Sequence, residues 1–202
     1  MVNQSKPTVA IFGGSFDPPH KGHQLIVENA IKTLEIDHLL VVPAYLNPFK
    51  SFSLASATQR LAWCHTLFDD LEKVIVSAYE IDEGKSTTTK QTVKHFNTVY
   101  DVKYLIIGSD NLSTLTKWHH FSWLNETITW VIITREGYPL HVDGLRKWET
   151  LQIDAPMSST QIRNKQDLHY VDKKIQKSVQ IVLEGNNLMT IEERVENIVH
   201  IL

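Results

Sequence analysis

The chain has 202 residues, 42% hydrophobic and 21% charged, proportions that suit one soluble domain with a sizeable core. A formal net charge of −3 excludes the dominant basic face that a nucleic-acid sheath needs, and no apolar run approaches the roughly 20 residues required to cross a bilayer. The one cysteine, Cys64, excludes an internal disulfide. Residues 1–7 lack the apolar centre of a secretory signal, so the expected setting is the reducing cytoplasm.

Short β-rich runs alternate with amphipathic stretches along the chain. Residues 8–12 read as a strand and 23–34 as a helix with Leu25, Ile26, Ala30, Ile31 and Leu34 facing inward. A strand at 38–42 stops at Pro43, and a loop through Asn47, Pro48, Phe49 and Lys50 leads to a helix at about 55–68. In that helix Cys64 sits among Leu61, Trp63 and Leu67, the pattern of a buried position rather than a reactive thiol. A strand at 74–77, a helix at 88–100 and a strand at 104–107 follow. Gly108-Ser109-Asp110 opens a short helical region that runs through Trp118 to Leu124. Strands at 127–134 and 151–153 precede a helix at 158–164 and further helices at 171–183 and 191–201.

Strands separated by helices of this length require right-handed crossovers. The expected fold class is therefore α/β: a Rossmann-like, doubly wound, mostly parallel sheet with helices on both faces. Residues 1–188 form the single domain, and 189–202 an additional C-terminal helix packed on it. In such a sheet ligands lie beyond the carboxyl ends of the strands. The loops at Gly13, at 43–50, at 108–110 and around Arg135 all follow strands, so they are expected to share one edge.

The stretch Gly13-Gly14-Ser15-Phe16-Asp17-Pro18-Pro19-His20-Lys21-Gly22-His23 carries the strongest chemical signal. Glycines let backbone approach an anion closely, and a helix start supplies free N–H groups and partial positive charge. His20 and His23, three residues apart, lie on one helix face and can address one ligand. The bland alternatives are a plain strand–turn–helix connection and a zinc pair; the second lacks further ligands at suitable spacing. A second signal is Ser158-Ser159-Thr160-Gln161-Ile162-Arg163. Its hydroxyls suffice as helix caps, yet Arg163 stands close to the positive end of the helix dipole. A cation there makes sense if an anion lies in front.

The Gly13–His23 loop and the late Met157-Ser158-Ser159-Thr160-Gln161-Ile162-Arg163 together resemble the signature pair of the nucleotidyltransferase α/β-phosphodiesterase superfamily. Ile106-Ile107-Gly108-Ser109-Asp110-Asn111-Leu112, Trp118 and Arg135-Glu136-Gly137-Tyr138-Pro139-Leu140 extend the resemblance to the bacterial nicotinate mononucleotide adenylyltransferases, over the chain to about residue 188. The resemblance implies that ATP lies across Gly13, Gly14, Ser15, Phe16, Gly108 and the 158 helix start. It implies that His20 and His23 hold the triphosphate, with His23 nearest the α-phosphate, and that Lys50 is a phosphate cation. Ser159, Thr160 and Arg163 would hold the β- and γ-phosphates, and Asp110 the adenosine ribose. His20, His23 and Arg163 would be the catalytic groups.

For the acceptor, the resemblance implies Thr89 for the nicotinate carboxylate, Trp118 with its neighbour His119 around the pyridine ring, and Arg135 at the mouth. Each has a plain structural reading as well: Thr89 and Asp110 as caps, Trp118 as a core aromatic, Arg135 as a solvated loop charge. Thr88 stands where the family usually has tyrosine, and Asn47-Pro48-Phe49-Lys50 where it has Pro-Pro-His-Lys. The expected reaction is adenylyl transfer from ATP to nicotinate mononucleotide, giving deamido-NAD and pyrophosphate. Nicotinamide mononucleotide or phosphopantetheine is the alternative acceptor, and a nucleotide-binding regulator without turnover the alternative of another class. Mg²⁺ is expected to travel with ATP rather than in a dedicated protein site. No nucleic-acid or membrane partner is expected, and the chain is expected to be a monomer or homodimer.

Overall fold

A computed structural model describes residues 5–48, 50–134, 139–153 and 158–188. Phe49, Arg135 and the helix expected at 191–201 lie outside the described residues. The elements run β1 (Thr8–Gly14), α1 (Lys21–Thr33), β2 (His38–Pro43), α2 (Ala57–Phe68), β3 (Val74–Val76), α3 (Tyr79–Asp82), α4 (Thr89–Phe96) and β4 (Asp101–Gly108). A 3₁₀ segment (Ser109–Lys117), α5 (Phe121–Thr127), β5 (Thr129–Ile133), β6 (Trp148–Leu151), α6 (Ser159–Lys165), a 3₁₀ turn (Leu168–Tyr170) and α7 (Lys173–Leu188) follow.

The strands form one six-stranded sheet in the order β3-β2-β1-β4-β5-β6, and every neighbouring pair is parallel. The α/β, doubly wound expectation therefore holds. Alternation along the strands gives the sheet two apolar faces. Ala10, Phe12, Leu39, Val41, Tyr104 and Ile106 pack against α1, α2, α6 and α7 through residues such as Val27, Trp63, Phe68, Ile162 and Ile175. Val9, Ile11, Leu40, Val42, Leu105 and Ile107 pack on the opposite side against Val93 and Phe96 of α4, Leu112 and Leu115, and Leu124 of α5. The order reverses at β1, whose chain continues to β2 on one side while β4 pairs on the other. That reversal opens the crevice at the carboxyl ends of β1 and β4.

Several boundaries differ from those read in the sequence, each for a local reason. The first helix begins at Lys21 because His20 itself caps it. The fourth ends at Phe96: the side chain of Asn97 accepts the Val102 N–H at 2.9 Å and turns the chain into β4. The apolar run at 127–134 belongs partly to α5, which extends to Thr127, so β5 starts later, at Thr129. The last strand lies earlier than expected, at Trp148–Leu151, on the open edge of the sheet. No helix among the described residues is long and apolar enough to cross a membrane.

Cys64 is fully buried in the α1/α2 side of the core, and burial pushes its thiol well above the ordinary cysteine range, against the opposing charge of Arg60. The native protein is therefore expected to leave dithiobis(nitrobenzoate) unreacted over the time in which the urea-unfolded chain releases one equivalent of thiolate. Rapid labelling of the folded chain would contradict this burial.

Candidate active site

Three loops converge at the carboxyl edge because the register aligns their starts: Gly14 pairs with Pro43, and Phe12 with Ile106 two residues before Gly108. The two glycines are the last residues of β1 and neither has positive φ. Their roles differ. A Cβ on Gly14 would lie 3.2 Å from the Phe16 ring, so Gly14 makes room for that side chain. A Cβ on Gly13 would meet only Val42 O, at 3.9 Å, and Gly13 is exposed; its missing side chain bares backbone at the crevice. The left-handed residue of the loop is Phe16, at φ 48°, a conformation uncommon for a bulky side chain. Its ring is buried, 5.4 Å edge-on from Phe12 and 4.9 Å from His23. Phe16 is thus a floor beneath His23 and not an exposed contact.

His20 and His23 form the capping box of α1. His20 Nδ1 accepts the Gly22 N–H at 3.1 Å, and His23 Nδ1 accepts the His20 N–H at 3.1 Å. A neutral imidazole whose Nδ1 accepts carries its proton on Nε2, so both rings are set as Nε2–H donors. Their centroids are 3.8 Å apart. The helix thereby fixes two donors side by side while satisfying its own first-turn amides.

Around the histidines stands a cationic group. Lys50 Nζ donates to Ser15 Oγ at 3.2 Å; burial of its ammonium end lowers its pKa, and the nearby Arg163 charge lowers it further. Arg163 Nη1 donates to the Asp17 carbonyl and lies 3.9 Å from the Asp17 carboxylate, while Nη2 donates to Thr160 Oγ1 at 3.1 Å. Ser159 Oγ donates to the Pro18 carbonyl at 2.9 Å, and Ser158 caps α6. The 158–163 motif therefore docks α6 on the first loop. Arg163, so near a helix start, is accounted for in part by the Asp17 carboxylate before any ligand arrives.

One residue of this site escaped the sequence reading. Arg60 of α2 is 1% exposed and donates to the carbonyls of Ser15 (2.7 Å), Ala44 (2.6 Å), Tyr45 (2.6 Å) and Ala55 (3.2 Å). Burial lowers its pKa, and the Asp17 carboxylate opposes that shift. Asp17, itself buried, accepts the N–H groups of Leu54 at 2.7 Å and Ala55 at 3.0 Å. An arginine in an amphipathic helix ordinarily reads as surface. The signal available was its place on the inward stripe with Trp63, Cys64 and Leu67.

The residues assigned to the acceptor lie on the other face of the sheet. Thr88, not Thr89, caps α4 through a capping box with Gln91, which leaves Thr89 as the first helical residue. Glu80 Oε1 accepts from Thr92 Oγ1 at 2.6 Å, and burial raises the Glu80 pKa against that bond. Gly108 precedes the 3₁₀ segment, and Asp110 stands in its first turn instead of capping it. Trp118 is half-buried, edge-on to Trp130 at 6.3 Å, with its indole Nε1 buried and unbonded; His119 beside it is exposed. Arg135 lies outside the described residues. Among the described residues no cluster of three His, Cys, Asp or Glu side chains could hold a metal ion.

The cytidylyltransferase-like family matches residues 11–165. A probable nicotinate-nucleotide adenylyltransferase of Sulfurovum sp. (strain NBC37-1) is 65% identical over 180 residues, spanning 89% of this chain and 96% of that relative. The chain belongs to the nicotinate-nucleotide adenylyltransferase family. A probable adenylyltransferase of the same name from Campylobacter fetus subsp. fetus (strain 82-40) is 40% identical over 85% of this chain and 93% of its own length. Among solved structures, Plasmodium falciparum nicotinic acid mononucleotide adenylyltransferase complexed with NaAD has a TM-score of 0.69 at 21% identity, covering 90% of this chain and 96% of its own. That last likeness concerns the fold of the adenylyltransferase domain.

Two outcomes follow from this geometry. Arg60→Met leaves the carbonyls of Ser15, Ala44, Tyr45 and Ala55 without their guanidinium donor and removes the charge facing Asp17, and is expected to lower stability by about 3–5 kcal/mol in urea unfolding; a loss below about 1 kcal/mol would show that water replaces the guanidinium. For Glu80, the folded pKa lies above the unfolded one, so the folded state binds more protons between the two values and stability falls as pH rises through that window, from about pH 4.3 upward. Glu80→Gln is expected to flatten that part of the stability–pH curve.

Proposed function

We propose that the chain transfers the adenylyl group of ATP to nicotinate mononucleotide, releasing pyrophosphate and forming deamido-NAD. The carrying observation is the His20–His23 pair: two adjacent rings at the start of α1, each oriented by a backbone N–H donated to its Nδ1. Hydrogen-bond donors fixed in advance at a helix start suit an oxyanion better than a metal or a nucleophile.

In this reading the triphosphate lies over His20 and His23, between Lys50 and the α6 start with Ser159, Thr160 and Arg163. Gly13 bares backbone to the nucleotide with Ser15 and Gly108 beside it, Gly14 admits the Phe16 ring that supports this loop, and Asp110 receives the ribose. A phosphate oxygen of the mononucleotide attacks the α-phosphorus in line. The bond from that phosphorus to the bridging oxygen breaks, and pyrophosphate departs with the electron pair. A phosphate monoester is already anionic near neutral pH, so no general base is needed; positioning and charge stabilisation supply the catalysis. Phe16 contributes by supporting the His23 ring from below.

Mg²⁺ is part of the nucleotide substrate in this scheme. The side chains placed around the phosphates are histidine, lysine and arginine with the hydroxyls of Ser159 and Thr160, a donor set that suits phosphate oxygens better than a hard divalent cation. Thr89, Trp118, His119 and Arg135 form the acceptor side, and the cytoplasm is the compartment that a single buried thiol fits.

The assay is pyrophosphate release by the full chain with Mg-ATP and either nicotinate or nicotinamide mononucleotide; release independent of both would overturn the reading. Paired variants separate the two jobs of His20. His20→Asn keeps a side-chain oxygen where Nδ1 caps the helix and removes the Nε2 donor. It is expected to retain the wild-type Tm and lose ~10²–10³ in kcat. His20→Gln reverses the pattern, losing about 1 kcal/mol of stability while keeping more of the turnover.

A further inference from the structure

Where α4 meets α5, two lysines stand over one indole and two histidines lie at the start of α5. Lys90 and Lys94, one turn apart on the same face of α4, place their ammonium groups 5.5 Å and 5.9 Å from the centroid of the Trp123 ring. His119 and His120 stand at the start of α5 with ring centroids 5.9 Å apart, and His120 is held in a left-handed conformation at φ 63°. The charge of Lys90 lowers the His120 pKa, with His119 and Lys94 adding to it. No ion pair among the described residues involves Lys90 or Lys94. Glu80 engages α4 through Thr92, which lies on the buried side of the helix, away from this face.

Like charges one turn apart on a helix repel, and a histidine beside them is driven towards its neutral form. Trp123 holds the two lysines in place, and the cluster becomes favourable when an anion enters. Its place decides which anion. Lys90 directly follows Thr89, and His120 directly follows His119 and Trp118, the residues assigned above to the acceptor. The two mononucleotides that compete for that site differ in one respect: the pyridine of one carries a carboxylate and that of the other an uncharged carboxamide.

Resting on the adenylyltransferase reading, we infer that Lys90, backed by Lys94 and His120, is a charge selector that draws in the carboxylate-bearing mononucleotide over its carboxamide counterpart. The selector acts on acceptor binding and not on the phosphoryl chemistry, which takes place at the ends of β1 and α1. Two cations at this range in a solvated setting account for about a ten-fold preference.

The test compares the two mononucleotides as acceptors in wild type, Lys90→Gln, the double variant Lys90→Gln/Lys94→Gln, and Lys90→Arg. In the double variant KM for nicotinate mononucleotide is expected to rise about ten-fold with kcat held, while both constants for nicotinamide mononucleotide stay as in wild type. Lys90→Arg is expected to restore the preference, and added salt to erode it in wild type but not in the double variant. Equal changes for both acceptors, or none for either, would overturn the selector while leaving the adenylyltransferase reading intact. Wild-type turnover that depends on neither mononucleotide would overturn both. Unchanged melting temperatures confirm that the comparison is made between folded proteins.

Discussion

Arg60 is the constraint on which the rest of the site depends. A guanidinium sealed beneath the sheet edge binds the loop after β1 to the loop after β2 through carbonyl oxygens. Its charge is countered by the buried Asp17, whose carboxylate also fixes the backbone ahead of α2 and whose carbonyl receives Arg163 from α6. Elements distant in sequence are thus referred to one buried ion network. Neutral carbonyls alone would not justify burying a cation, and the desolvation cost makes this network weak evidence for stability taken by itself. Its value is positional: it fixes relative to one another the loops and helix starts that, in the proposed reading, meet the polyphosphate.

The division of labour across the sheet follows from the same topology. In the proposed reading the phosphate-directed groups come from the α1 start, the loop before α2 and the α6 start, while the acceptor-side groups come from α4 and the stretch between the 3₁₀ segment and α5, which pack on opposite faces of the sheet. In open sheets of this kind ligands lie in the crevice at such a reversal, and in the proposed reading one extended ligand reaches both faces there. Gly13, which lacks a side chain at that point, leaves its backbone uncovered there.

Much of this was legible in the sequence because periodicity reports burial. Each core strand except the short edge strand β6 was found within a few residues, and the parallel order follows from the alternation of strands and helices. The histidine loop was legible as chemistry because glycine, proline and paired histidines rarely coincide at a helix start without reason. What escaped reading was long-range pairing. Nothing local in Arg60 distinguishes a buried clamp from a solvated helix face, and nothing local in Arg163 reveals that the carbonyl and carboxylate of Asp17, 146 positions away, receive its guanidinium. Helix ends were misplaced where a side chain and not a propensity ends the element, as at Asn97.

The double duty of the α1 start has a consequence for the family's history. Ring Nδ1 atoms do at His20 and His23 what serine or asparagine and then glutamate or glutamine do in an ordinary capping box. A descendant freed from turnover has no folding reason to keep imidazoles there, and drift would return both positions to those commoner caps. In the proposed reading, imidazoles at 20 and 23 answer to the reaction, because an ordinary capping box would serve the fold alone.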